Sequence, residues 1–159
     1  VPILTPTLSL CDQLVSIIGA SWNPVGPSAV QRVYFMRQVA KDLAGRQVWV
    51  FPTNYGISAE NRSENAVRHR VSVLTAEKYG DINTAGLPPT AWIDTRVDFV
   101  FTTIVDGLYF AQGGPLVFGS RRVWTAGAEV EVCDLEKITT TPAVFWSLVD
   151  LEFEELYTA

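Results

Sequence analysis

Apolar residues recur along the chain with two different periods, and these predict the elements. Near the N-terminus Leu10, Leu14, Ile17 and Ile18 fall on one stripe at helical spacing. Thr5-Pro6 stands before them, a capping residue followed by proline at the first helical position, and Gly19 is the expected stop. Residues 20–31 hold two prolines, a glycine and two serines, so they read as a connection, with Trp22 as its anchor. Val33, Tyr34 and Phe35 suggest a short strand, and residues 40–45 are helical in propensity but too short to stand alone. Residues 47–51 (QVWVF) are apolar on both faces, which suits the middle of a sheet. Pro52 is the expected end of that strand, and Asn54-Tyr55-Gly56 is turn chemistry. From 66 to 75 the period is two: Val67, His69, Val71 and Val73 face one way, Arg68, Arg70 and Ser72 the other. Residues 78–89 read as a loop.

The clearest helix spans residues 90–108. Ile93, Val97, Val100, Phe101, Ile104 and Leu108 form its core stripe, while Asp94, Asp98, Thr102 and Asp106 lie away from it. Gly107 and the Gly113-Gly114-Pro115 cluster are its expected stops. Residues 122–133 contain a strand, broken or bulged at Gly127, and 134–142 form another loop. In the last strand, 144–156, Val149, Leu151 and Phe153 face in, and Asp150, Glu152 and Glu154 face out. This order predicts an α+β fold: a single domain over residues 1–159, with an antiparallel or mixed β-sheet packed on one face by two α-helices. Its other face is partly solvated.

Composition narrows the function more than the fold. Of 159 residues 48% are apolar and 18% charged, which excludes disorder and suggests that partners cover some apolar surface. The net charge of −5 disfavours a broad grip on nucleic acid. No apolar run approaches the ~20 residues of a membrane span. The first ten residues lack the basic region of a signal peptide, and Val1 fits a cytosolic product whose initiator Met was removed. Cys11 and Cys133 are too far apart for a disulfide framework or a zinc motif, and they read as buried, reduced thiols.

The sequence offers no catalytic, cofactor or metal constellation. The single histidine, His69, sits among apolar positions, as a core or interface histidine does, and no GxSxG accompanies it. Gly113-Gly114 lacks the spacing of a phosphate loop. Glu129, Glu131, Asp150, Glu152, Glu154 and Glu155 occupy alternating, outward positions, where the burial needed to raise a carboxyl pKa is missing. Arg62, Arg68 and Arg70 lie close together, Arg121 and Arg122 follow, and the acids crowd the last third. Blocks of opposite sign suit packing between identical subunits, with the arginines as interface residues. A heterologous contact of that kind closes into a ring where the rotation allows.

Four pieces in order carry a family resemblance. They are a helix over residues 8–18, the strand QVWVFP (47–52) followed by the Ser58-Ala59-Glu60-Asn61-Arg62 stretch, and the strand VRHRVSVLTAEKY (67–79) leading to the helix start Trp92-Ile93-Asp94-Thr95-Arg96. The closing strand, 145–153, is the fourth. Together they cover most of the chain, and in this order it resembles the tail terminator and neck proteins of long-tailed bacteriophages. The resemblance implies a homohexameric ring in the virion, assembled in the host bacterial cytoplasm. The ring caps the tail tube, with the major tail tube protein below and the head-tail connector or stopper protein above. It also implies no enzyme activity and no cofactor; DNA passes through the channel unbound, and no membrane is involved. Asp150, Glu152 and Glu154 then line either the channel or a subunit interface. The alternative slots are a head-completion or connector protein and a tube subunit. Residues 19–33 and 111–142 depart from the family pattern, so contacts made there cannot be carried over.

Overall fold

The computed structural model describes residues 6–34, 43–59, 64–80, 86–110, 116–118 and 121–158. Its elements are α1 (Pro6–Trp22), β1 (Ala29–Arg32), β2 (Arg46–Ala59), β3 (Glu64–Lys78), α2 (Thr90–Phe99), a π-helical continuation (Val100–Phe110), β4 (Leu116–Phe118), β5 (Arg121–Glu131), α3 (Leu135–Ile138) and β6 (Val144–Thr158). The strands lie in the order β1-β2-β3-β6-β5-β4. β1 runs parallel to β2 and every other pairing is antiparallel, so the sheet is mixed. The expected α+β domain with a mixed sheet is present.

The main core lies between α1, α2 with its π continuation, and one face of the sheet. Leu10, Leu14 and Ile18 from α1 meet Val100, Ile104 and Leu108, over Val48, Val50, Val71, Val73, Val149, Leu151 and Phe153. β3 and β6 are the central strands, paired from Glu64↔Thr158 to Lys78↔Val144. Over Val67–Val71 their alternation in the sequence is the alternation observed in burial, with Val67, His69 and Val71 buried and Arg68 and Arg70 exposed; from Ser72, expected outward, to Ala76 both faces are buried.

Several boundaries differ from the sequence reading, each for a local reason. α1 does not stop at Gly19 but runs on to Trp22. Asn23, at φ 52°, ends it in the left-handed conformation and returns its N–H to the Gly19 carbonyl at 2.8 Å. The predicted connection contains β1, ahead of the strand expected at residues 33–35; Gly45 seats it. Gly45 has φ 64°, and a Cβ there would meet Ser28 Oγ at 2.7 Å. The next residue, Arg46, donates its N–H to that same hydroxyl at 3.0 Å.

Pro52 does not end β2, and the turn expected at residues 54–56 is strand. The register shifts between Pro52 and Asn54, and β1 stops pairing opposite Val50. Pro52 therefore lies at a bulge beyond the reach of β1, where its missing N–H costs no ladder bond. At Phe101 the helix stripe also breaks, because the chain widens into a π-helix from Val100 onward. With i→i+5 bonding each residue turns less about the axis. Val105 rotates into the core at 7% exposure and Phe101 rotates out to 39%. Gly107 is helical rather than a stop. Asp134, read as loop, caps the short helix α3 by accepting the Glu136 and Lys137 N–H groups. The bulge expected at Gly127 is present, as a register shift between Thr125 and Gly127.

Candidate interaction surface

Helices cover one face of the sheet, and the opposite face is graded along its strands. At one end Trp49, Leu74, Ala76 and Val144 form a second buried cluster with Leu43, backed by Trp146 and Leu148. The Trp49 and Trp146 rings lie 6.4 Å apart. The Lys137 ammonium sits 4.7 Å above the Trp146 ring. This second cluster is why residues 47–51 are apolar on both faces.

Toward the other end the same face becomes charged. The register sets Ser72 opposite Asp150, Arg70 opposite Glu152 and Arg68 opposite Glu154. Ser72 donates its hydroxyl to Asp150. Arg70 reaches Glu152 at 3.3 Å, and Arg68 lies 3.9 Å from Glu152 and 3.8 Å from Glu154. The two blocks of opposite sign noted in the sequence are thus cross-strand neighbours within one chain, because β3 and β6 pair at the centre of the sheet. Exposed pairs of this kind contribute about 0–1 kcal/mol each. Arg122 is exposed on β5. Arg62 and the side chain of Arg121 lie outside the described residues.

Two bulges shape the charged end. Those of β2 and β5 flank the central pair at one level, since Asn54 faces Arg70, Arg70 faces Glu152, and Glu152 faces Gly127. Between them lies an open cleft of about 450 Å³ lined by Thr53, Arg70, Gly127, Glu129, Asp150 and Glu152. Trp124 stands on the same face, 52% exposed. The sequence pointed to the bulge at Gly127, but not to the cleft, which needs the two bulges at equal height.

Glu155 corrects the outward reading of the carboxylates. It is 2% exposed, on the inward face with Phe153. Its Oε1 is 3.8 Å from Nε2 of His69, which is fully buried. The Nδ1 of His69 lies 3.0 Å from the Thr7 hydroxyl in the first turn of α1. His69 is thus a core residue that ties the start of α1 to the central strands. Its period-two position could have flagged Glu155, two residues after the inward Phe153.

Trp92-Ile93-Asp94-Thr95-Arg96 fastens α2 to the sheet. Arg96 Nε donates to Glu77 Oε2 at 2.9 Å while its guanidinium lies 4.1 Å above the Trp92 ring. Arg46 Nε donates to the other oxygen of Glu77 at 2.8 Å and stacks 4.3 Å above Phe99. Trp22 packs edge-on against Phe99, as an anchor should. One carboxylate on β3 thereby joins β2, α2 and the end of α1.

Burial pushes the Cys11 thiol up to about 12, against a smaller opposing pull from Arg32. The Cys133 thiol is also raised, by burial first and then by Asp134 and Glu131. Neither is poised as a nucleophile. Among the described residues no group of three or more His, Cys, Asp or Glu side chains could hold a metal ion, and no helix is long and apolar enough to cross a membrane. No protein-family model matches the chain, and no curated protein matches it.

Proposed function

We propose that the protein is a structural virion component that assembles as a homo-oligomeric, six-membered ring. It caps the head-proximal end of a phage tail tube and joins it to the head connector. The observation that carries this reading is the one-sided layering of the fold. α1 and α2 pack on a single face of the sheet, while the opposite face carries the charged rows, the cleft and Trp124. Such an uncovered, mixed surface suits contact with neighbouring proteins. The described elements run in the order helix, the strand through Pro52, the alternating strand, the Trp92-to-Arg96 helix start and the closing strand, and this order supports the reading. In this reading the chain binds DNA nowhere, in keeping with its net charge of −5.

Tube growth is the test. Tubes polymerised from the tail tube protein encoded alongside this chain should stop elongating at one end when the chain is added, with a single layer of extra density there. Unhindered growth removes the terminator reading. If the chain polymerises by itself into long tubes, it is the tube subunit.

A further inference from the structure

β4 pairs only with Arg121, Arg122 and Val123, so among the described residues the rest of β5, from Trp124 to Glu131, has β6 on one side and no strand on the other. The register places Trp124, Gly127, Glu129 and Glu131 on the uncovered face, opposite Glu154, Glu152, Asp150 and Leu148. Glu129 therefore lies directly across from Asp150, both exposed and both on the rim of the cleft. Like charges directly opposed across a ladder repel. The arginines of β3 are engaged one strand further away, with Glu152 and Glu154. An open strand edge normally invites a second copy of itself, and acids beside a bulge repel that copy. They attract a basic strand by the same charge.

We propose that the open edge and outer face of β5 are a docking surface for an extended segment of a different protein, one that carries Lys or Arg at alternate positions. Alternate side chains of a strand repeat every ~6.8 Å, and those of a partner laid beside β5 meet Glu131 and Glu129 in step. The bulge at Gly127 breaks the ladder there, and the exposed Trp124 ring beyond it offers a face for a cation or an apolar side chain. Charge selects against the other occupants. A second copy offering its helix layer presents Asp94, Asp98 and Asp106, all exposed, and DNA presents phosphates. The inference does not depend on the ring: it holds for any assembly that leaves β5 open.

The experiment uses the whole chain and a fluorescein-labelled peptide of alternating lysine and threonine. A glutamate–threonine peptide and a short DNA duplex serve as comparisons, and binding is read by anisotropy. The lysine peptide should bind, more weakly as salt rises, and the other two probes should not. Glu129→Gln with Glu131→Gln should weaken binding about tenfold, whereas Asp94→Asn with Asp98→Asn, an equal change of charge on the helix layer, should leave it within about twofold. Equal loss in both variants would reduce the effect to net charge and overturn the proposal. So would absence of peptide binding, or a change of oligomeric mass in the Glu129/Glu131 variant, which would make a second copy the occupant.

Discussion

Apart from polar ties such as those of Thr7 and Arg96, the helix layer is held to the sheet by burial. Ile104 is fully buried among α1 and the inner sheet face, while Asp98, six residues earlier, is exposed. Ile104→Ala should cost about 2–5 kcal/mol, and Asp98→Ala should stay within about 0.5 kcal/mol. Urea titration of the two variants checks this, and equal shifts would mean that the helix faces the sheet differently. Cys11 makes a second prediction, through pH. Its folded pKa of about 12 exceeds that of an unfolded thiol, so above the usual thiol range the unfolded chain loses this proton first. Stability from this group is complete at neutral pH. It then declines by up to about 1.4 kcal/mol per pH unit between about pH 9 and 12. Cys11→Ser should flatten that decline in urea midpoints measured across the range. A thiol reagent at pH 8 should label Cys133, which is partly exposed, and reach Cys11 only in denaturant.

At the scale of elements, period was legible and register was not. The alternation in residues 66–75 and 144–156 put Val67, His69, Val71, Val73, Val149, Leu151 and Phe153 on the inward face, because that face is buried and a slip by one residue would expose Val71 and Val73; Glu155, read as outward, lies on the inward face too. What alternation does not encode is which strand lies beside which. Arg68 and Arg70 therefore read as one block and the C-terminal acids as another, free to meet neighbouring subunits, when the fold sets them against each other. Pro52 misled for a related reason, since it ends a strand only where a neighbour needs its N–H. Phe101 fell off its stripe because nothing in the local pattern announces a π-helix. The pairing has a testable consequence. Arg68→Glu with Arg70→Glu would set like charges opposite Glu154 and Glu152, and should destabilise the fold by about 1–2 kcal/mol. Adding Glu152→Arg and Glu154→Arg should restore the melting temperature. If the fourfold variant melts no higher than the double one, the cross-strand pairs contribute nothing. Subunit mass in the same series separates folding from assembly: a fourfold variant that is stable yet monomeric would give these arginines a role between subunits as well.

For the whole molecule, among the described residues the charged end of one sheet face and part of two edges carry no covering element, and each edge holds a bulge. Bulged edges discourage endless strand-to-strand polymerisation. That geometry suits the proposed closed ring, and stopping at one ring rather than stacking on itself is what would separate a terminator from a tube subunit. Native mass spectrometry of the purified chain measures this most directly. A single closed hexamer should give one dominant species at six times the subunit mass, unchanged as protein concentration rises and without heavier species. A monomer at every concentration, or a ladder of masses that lengthens with concentration, would contradict it.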